Sequence, residues 1–256
     1  MFNHVFKYFG KNRSLQEIEY RDLDKFFLHL TKKSPGGAPV YLRTLKAALN
    51  KAIEWDLITE NPLTKIRLPK RQQEEQLTLN ASEIHDIVNA VSNQQIKALI
   101  ETAFYTGLRR SELVGLKVKH VDQETGFLQV GDEELITKSR KTREVALCTQ
   151  VIDLLSNIII NKQPDDLLFG KTKKIPYTAD YISRVFKRAV DRNQLNKRIH
   201  FHTCRHSYIT NLANGDIPLQ AVQMLAGHSN ITTTMRYVHV DRNELLKSVN
   251  VLNNLN

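Results

Sequence analysis

Three short stretches of the sequence hold the arginine, histidine and tyrosine side chains that could act together on a phosphate. They are TGLRRSEL at 106–113 with Arg109, HTCRH at 202–206 with His202 and Arg205, and GHSNITTTMRY at 227–237 with His228 and Tyr237. His202 and Arg205 are three residues apart, so both side chains project from one face of a helix. One anion could therefore contact both.

The chemistry that this set favours is in-line attack on a phosphodiester. Such attack places extra negative charge on the non-bridging oxygens, and two guanidiniums, Arg109 and Arg205, could hold those oxygens with paired hydrogen bonds. A tyrosine hydroxyl has a pKa of about 10 and needs a cationic, water-poor site to become a nucleophile. The arginines and histidines would give Tyr237 that site. Neutral imidazoles at His202 and His228 could hold phosphate oxygens or shuttle a proton.

A metal site is the alternative interpretation of the histidines. His202 and His206 are four residues apart on a predicted helix, a spacing that suits two metal ligands. However, Thr203 follows the first histidine where the zinc-protease pattern needs glutamate, and no acidic third ligand is evident nearby. We therefore expect no metal and no cofactor. Tyr208, a rival nucleophile in principle, and Cys204 are expected to pack in the core.

The elements that must position these residues are mainly helical. Apolar residues recur at helical spacing in 21–30 and 41–58, with the breaker SPGGAP between them. They predict a small helical domain over residues 1–64, in which Asn61 and Pro62 end the second helix.

The second part of the chain is predicted to be helical with one small sheet. Ser82 is expected to cap its first helix, and Gly107 to break the chain before a new helix starts. Short alternating runs over 126–147 indicate a small antiparallel sheet, and helices follow almost to the end. The predicted class is mainly α with a small antiparallel β-sheet, in two domains. The last hairpin of the sheet carries the cations Lys138, Arg140, Lys141 and Arg143.

The composition favours a polyanionic partner. The chain has 256 residues, 41% of them hydrophobic, which is enough to bury a proper core. Its 37 Lys plus Arg against 27 Asp plus Glu give a net charge of +10, so nucleic acid is the first candidate partner and a membrane surface the second. No apolar run is long enough to cross a membrane, and the start of the chain lacks a signal peptide. Two cysteines fit a reducing compartment, so a cytoplasmic protein is expected.

A basic stretch separates the two predicted domains. Residues 65–76 have little apolar content and indicate a linker that could lie along a phosphate backbone, although an ordinary solvated loop has the same composition. Its cations are Lys65, Arg67, Lys70 and Arg71. We predict that they bind DNA together with Arg140, Lys141 and Arg143 of the hairpin.

Taken together, the motifs resemble the tyrosine recombinases, the phage integrase family. The family signature is an arginine in T-G-L-R-x-S-E-L, a lysine on a β-hairpin, an H-x-x-R pair, a histidine in L-G-H and a tyrosine nine residues beyond it. The resemblance covers most of residues 77–240 and places the signature on Arg109, Lys138, His202, Arg205, His228 and Tyr237. The hairpin reads ITKSRKTREV where the family usually has G-K-G, so Lys141 is the alternative to Lys138.

The resemblance implies site-specific cleavage and exchange of DNA strands. The strands would be held through a covalent 3′-phosphotyrosine on Tyr237, for integration or excision of a phage or other mobile element, and Lys138 would protonate the leaving 5′ oxygen. The domains would be a core-binding domain at 1–64, shorter in helices than the family's and expected to be short or truncated, a basic linker at 65–76 and a catalytic domain at 77–256. The implied partners are double-stranded DNA, further copies of the chain forming a homotetramer on paired sites, and accessory DNA-bending proteins. No membrane partner is expected.

Two other functions stay open at this point. A topoisomerase-like protein would nick and reseal DNA without exchange. A DNA-binding regulator would keep the fold and lose a catalytic residue, and the sequence lacks none of them.

Overall fold

The computed structural model of the chain describes residues 2–14, 17–68, 76–131, 142–215 and 217–237. Its backbone divides into two units, Met1–Glu75 and Gln76–Asn256. The described elements are helices and one three-stranded antiparallel sheet, which confirms the predicted fold class. In these described ranges no helix has both the length and the apolar character that a membrane span requires.

The described residues of the first unit include three α-helices and a 3₁₀ turn that follows them. They are α1 (Phe2–Phe9), α2 (Tyr20–Lys33), α3 (Ala38–Glu54) and the turn Pro62–Lys65. α2 and α3 are the helices that the apolar spacing predicted. α3 ends before the predicted boundary, because Asp56 adopts a left-handed backbone (φ 54°). Asn61 begins the 3₁₀ turn rather than ending a helix, since its Oδ1 accepts the N–H of Leu63 at 2.9 Å.

The core of the first unit extends into the predicted linker. Phe26 and Phe27 of α2 lie at its centre, each 1% exposed. Ile66 is buried in the same core and Leu68 packs against it. Ile66 and Leu68 therefore pack with the first unit, although both lie in the stretch predicted as a linker. Charged residues surround Ile66 and Leu68 in the sequence, so the composition of this stretch does not indicate that the two side chains are buried.

The second unit contains eight described α-helices, three strands and two 3₁₀ turns. They are α4 (Ala81–Asn89), α5 (Gln94–Thr106), α6 (Arg110–Gly115), the turn Val118–His120, β1 (Val121–Asp122), β2 (Phe127–Val130), β3 (Arg143–Ala146), α7 (Thr149–Ile159), α8 (Ala179–Arg192), α9 (His202–Ala213), α10 (Leu219–Ala226), α11 (Ile231–Thr234) and the turn Met235–Tyr237.

The sheet pairs its strands in the order β1-β2-β3, antiparallel throughout. Leu128 faces Val145 across β2 and β3, and both side chains are fully buried. The strands thus cover the core with one face, as the alternating pattern predicts. The cations Lys138, Arg140 and Lys141 lie outside the described residues.

α5 is the central helix of this unit and supports the site. Its side chains are buried along most of its length, and it packs against α4, α7 and α9. Asn93 caps its start by accepting the N–H of Ile96 at 3.0 Å. The preceding helix α4 is capped by Asn80 and not by Ser82 as predicted. Asn80 and Glu83 bond each other's backbone N–H groups, and this reciprocal pair fixes the earlier start.

Candidate active site

Arg205 lies on the first turns of α9 and is 4% exposed. Its Nη1 donates to the carbonyl oxygen of Gly107 at 2.6 Å, and its Nη2 donates to the carbonyl oxygen of Ala226. Gly107 is the residue that caps the C-terminus of α5, and Ala226 is the last residue of α10. One guanidinium therefore joins the TGLRRSEL turn to the turn that leads into His228.

The turn at Gly107 requires glycine for two independent reasons. Its φ of 62° is a left-handed conformation that side chains disfavour. A Cβ there would also come within 2.3 Å of the Tyr208 ring. Tyr208 is a buried packing residue, as predicted, and burial raises the pKa of its hydroxyl to about 12.

A buried carboxylate, Glu112, holds two of the arginines. It is 3% exposed. Its Oε1 accepts Arg109 Nη1 at 2.9 Å, and its Oε2 accepts the Arg109 backbone N–H at 2.8 Å. Both nitrogens at the tip of Arg143 also donate to it, at 3.1 and 2.9 Å. Burial opposes the ionisation of Glu112, but the hydrogen bonds and charge of Arg143, together with the hydrogen bonds from Arg109, outweigh burial and lower the pKa of Glu112.

Arg143 does not lie on an open hairpin surface. The sequence assigned it to DNA binding with its neighbours on the hairpin, yet the side chain is only 14% exposed and is bound to Glu112. It also passes so close to Gly227 that a Cβ at that glycine would lie 2.7 Å from Nε. Arg143 turns inward because Glu112 is a buried anion that needs a second cation.

Tyr237 is the last residue that the structure describes, and its ring is buried. It is 7% exposed and packs with Tyr208, Ile209 and Val222. Its hydroxyl lies 2.7 Å from Nδ1 of His206. Burial raises the pKa of Tyr237, while the charges of Arg205 and Arg236 oppose that rise.

The two histidines of the predicted set are held in their neutral forms. His228 lies 2.9 Å, through Nδ1, from Thr234 Oγ1, and its ring stacks near Tyr237 with centroids 6.3 Å apart. Lost hydration and then the Arg205 and Arg109 charges lower the pKa of His228 to about 4. At His202, lost hydration and then His206 and Arg205 lower the pKa to about 4.

The predicted catalytic residues that the structure describes meet in one cationic cluster. Burial and then the Arg109 charge lower the pKa of Arg205 to about 10, and Glu112 acts against both. The residues brought together are Arg109, His202, Arg205, His228 and Tyr237. Lys138 lies outside the described residues, as do Lys70, Arg71, Arg140 and Lys141. Lys65 and Arg67 lie on the first unit and are exposed.

Sequence reasoning missed three residues of this site: His206, Glu112 and Thr234. The sequence indicates His206 only as a possible metal ligand. The spacing of Glu112, three residues after Arg109 at a helix start, is a capping pattern that could have identified it. Thr234 gave no signal. Across the described ranges, no three His, Cys, Asp or Glu side chains come together in a group that could hold a metal ion.

Sequence comparison covers both units. Residues 77–244 match the sequence model of the phage integrase family, and residues 1–68 match that of the phage integrase SAM-like domain. The chain belongs to the phage integrase family. Its members are the tyrosine recombinases, which perform site-specific recombination through a tyrosine intermediate.

Curated tyrosine recombinases match along nearly the whole chain. The tyrosine recombinase of Thermosipho africanus is 31% identical over 255 residues, which are 96% of this chain and 88% of the relative. The tyrosine recombinase XerC of Anoxybacillus flavithermus is 26% identical, over 91% of this chain and 81% of the relative. The similarity to tyrosine recombinases therefore extends over both units.

Solved structures of integrases have the same fold. The integrase of transposon Tn1549, in complex with transposon right end DNA, matches with a TM-score of 0.77 at 25% identity, over 93% of this chain and 86% of that one. A lambda integrase dimer bound to a core site matches with a TM-score of 0.76 at 20% identity, over 93% of this chain and 69% of that one. At that identity the second match shows the fold alone.

Proposed function

We propose that this tyrosine recombinase cleaves and rejoins double-stranded DNA at a specific site, with Tyr237 as the nucleophile. The observation that carries the proposal is the placement of the Tyr237 hydroxyl. It is buried where the positive charge of Arg205 acts on it, and it lies beside His206 and His228. A phenol needs such a cationic, dehydrated environment to attack phosphorus at neutral pH.

Arg109 and Arg205 would bind the non-bridging oxygens of the phosphate. Glu112 fixes Arg109 and two carbonyl groups fix Arg205, so the guanidiniums are oriented before DNA binds. Their remaining N–H groups are available to an anion. Donors fixed in advance stabilise the charge that develops in the transition state without reorganising during the reaction.

His202 and His228 would complete the phosphate site as neutral donors. With pKa values of about 4, both rings are uncharged at neutral pH, and each can donate one N–H to a phosphate oxygen. An incoming phosphate would favour their protonated forms and strengthen these bonds. The leaving 5′ oxygen also needs a proton, and by family resemblance Lys138, or Lys141 in its place, would donate it.

The phosphotyrosyl ester conserves the energy of the broken bond. The phenol can leave again when a DNA hydroxyl attacks the phosphorus, so rejoining requires no ATP. The identity of that hydroxyl decides between resealing and strand exchange. Exchange between two sites would integrate or excise a mobile element, a role compatible with the transposon integrase that this chain resembles.

The first unit would bind the DNA together with the second. We assign the core-binding role to residues 1–64, DNA-backbone contacts to the basic stretch at 65–76, and catalysis to 77–256. Lys65 and Arg67 point outward on either side of the buried Ile66, where they can meet phosphates without disturbing the core.

Four copies would assemble on paired sites in the cytoplasm, aided by DNA-bending proteins. Near the chain end, Leu245, Leu246, Val249 and Leu252 stand at helical spacing in the sequence, and this apolar stripe of the tail (residues 242–256) would dock on a neighbouring copy. The tail lies outside the described residues. Deleting 242–256 should spare binding to a single site and abolish the higher-order complex in gel-shift assays. Assembly by the truncated protein would assign the tail to another role.

The decisive experiment traps the covalent intermediate. DNA enriched by the full-length protein is sequenced to find the site, and a nicked suicide substrate is built on it. Wild-type protein should form a covalent adduct in excess EDTA without ATP, since arginine side chains supply the positive charge. Tyr237→Phe should bind equally well and form none.

Other outcomes point to the rival functions. An adduct formed by Tyr237→Phe, or a strict need for a divalent ion, would overturn the mechanism. Relaxation of supercoiled plasmid without recombinant junctions would support a topoisomerase-like activity. Site-specific binding by a wild type that forms no adduct would support a DNA-binding regulator.

A further inference from the structure

The histidine that contacts the nucleophile is not one of the family signature positions found in this sequence. His206 follows Arg205 directly on α9, one turn after His202. Its Nδ1 lies 2.7 Å from the Tyr237 hydroxyl, and the two ring centroids are 5.7 Å apart. The backbone of a well-packed helix therefore aims this imidazole at the atom that would attack phosphorus.

The other histidines of the cluster are placed differently. His228 directs Nδ1 at Thr234. His202 meets the ring of His206 edge-on, with centroids 4.8 Å apart. Within the described part of the chain, His206 is the side chain hydrogen-bonded to the Tyr237 hydroxyl.

Charge and hydration make this imidazole a suitable proton acceptor. Burial, followed by the neighbouring His200 and Arg205, lowers the pKa of His206, so the ring is neutral at physiological pH. Burial raises the pKa of Tyr237, so the phenol holds its proton until attack begins. A base within hydrogen-bond distance removes the need to form free phenolate first. The groups that face this pair are His200, His202, Arg205, His228 and Arg236.

We propose that His206 is the general base for Tyr237, an inference that rests on the proposed function above. The phenol donates its hydrogen bond to Nδ1, and the imidazole carries its own proton on Nε2. As the Oη–P bond forms, the phenolic proton passes to Nδ1 and the bond from phosphorus to the 5′ oxygen breaks. That oxygen takes its proton from a separate acid, the lysine proposed above, Lys138 or Lys141 in its place. In rejoining, the imidazolium returns its proton to the departing phenolate.

The test measures single-turnover adduct formation by His206→Asn on the cognate suicide substrate. Asparagine can keep a hydrogen bond to the Tyr237 hydroxyl, but it cannot accept a proton at neutral pH. We expect a rate loss of roughly 10²- to 10⁴-fold, the usual contribution of a general base. Site affinity and thermal unfolding should stay close to wild type. His85→Asn, at an exposed position on α4, is the matched control.

Two further readouts separate proton transfer from simple positioning. A substrate with sulfur in place of the leaving 5′ oxygen needs no acid. It should therefore restore the cleavage rate of whichever alanine variant removes the acid, Lys138→Ala or Lys141→Ala, and leave His206→Asn slow. The wild-type rate should be level between pH 7 and 9, whereas the rate of His206→Asn should rise about tenfold per pH unit as phenolate forms. The pH profile of the wild-type rate tests the role of His206 even if the His206→Asn variant fails to fold.

The possible results distinguish a failure of this inference from a failure of the proposed function. If wild-type protein reacts and His206→Asn reacts equally fast, or if sulfur substitution restores it, His206 is not the base and the proposed function stands. A wild-type rate that climbs tenfold per pH unit from 7 to 9 would also overturn the role of His206. If the wild type forms no adduct on its cognate site, the proposed function and this inference both fail.

Discussion

The guanidinium of Arg143 forms a paired ion contact with the carboxylate of Glu112, at 3.1 and 2.9 Å. Arg109 binds the same carboxylate through its side chain and its backbone N–H. Glu112 thus balances two cations inside the second unit and holds one of them in the orientation proposed for phosphate binding. It links the stability of the unit to its chemistry.

Glu112→Gln should therefore weaken both folding and cleavage. Removing the charge leaves two partly buried arginines without a counter-ion, at a cost on the order of 3 kcal/mol in the free energy of unfolding. Adduct formation should slow as Arg109 loses its fixed position. Urea unfolding of the second unit and single-turnover kinetics measure the two effects. Glu144→Gln, an exposed carboxylate on β3, is the control and should change neither.

The same ion cluster predicts a pH dependence with a definite sign. The pKa of Glu112 is below its ordinary value of 4.5 in the folded protein. Its stabilising contribution is therefore complete above pH 4.5 and is lost as the pH falls through the lowered pKa. The difference in stability between wild type and Glu112→Gln should shrink below pH 4.5. A difference that stays constant down to pH 3 would contradict the ion-pair account.

Gly107→Ala should lower the free energy of unfolding of the second unit by more than the cost of its left-handed backbone alone. The left-handed φ alone costs about 1–2 kcal/mol for alanine. The new Cβ would also meet the buried Tyr208 ring at 2.3 Å, which must move within a packed core. Gly126→Ala isolates the backbone effect, since that glycine has φ +73° and its Cβ would lie 3.4 Å from Ile152. Equal losses for the two variants, measured by denaturant unfolding, would rule out the steric contribution.

The elements of the fold could be predicted where a local pattern decided them. α2, α3 and α5 follow from apolar spacing, and the end of α5 follows from Gly107. The prediction failed where two local patterns competed. Asn80 caps α4 in place of Ser82, because only the earlier residue has Glu83 at the reciprocal position.

The site was predictable in its arginines and less so in the contacts around them. Motif spacing identified Arg205, but nothing local shows that its partners are the carbonyls of Gly107 and Ala226, which come from turns far away in sequence. The inward turn of Arg143 depends on Glu112 from another element, so the sequence alone groups Arg143 with the DNA-binding cations of the hairpin. Long-range contacts of this kind have no signature in a single sequence.

Charge reversal at Lys65 and Arg67 should weaken DNA binding without changing sequence preference. Phosphate contacts carry no base information, so affinity for cognate and random duplexes should fall alike. The slope of log affinity against log salt should become shallower by about 2, one for each lost phosphate contact. Lys173→Glu with Lys174→Glu makes the same change in net charge on residues that contact Asp166. If this control pair weakens binding as much, total charge and not a specific contact explains the effect.

The neutral histidines of the site should make the protein less stable in mild acid. The pKa of His228 is about 4 in the folded protein, against an ordinary value of 6.5. As the pH falls from 6.5 toward 4, the unfolded chain binds a proton that the folded protein does not, so stability falls. His228→Gln removes this proton uptake. The melting temperature of the wild type should therefore drop further than that of the variant between pH 7.5 and 5, and parallel losses would show that His228 is not held neutral.

Arg205→Lys tests whether the geometry of a guanidinium, and not its charge alone, is needed at the junction of the two turns. A lysine ammonium keeps the charge, but it is a compact donor that cannot reach both carbonyl groups and a phosphate oxygen together. We expect adduct formation to fall by about 10²- to 10³-fold, as for loss of one transition-state donor, while site affinity changes little. The second unit should also lose stability, since the carbonyl of Gly107 or of Ala226 is left without its buried donor. Single-turnover kinetics at a temperature well below the unfolding transition separate the two effects. If the fully folded variant cleaves at the wild-type rate, Arg205 only joins the two turns through the carbonyl groups of Gly107 and Ala226. Arg109 alone would then stabilise the phosphate.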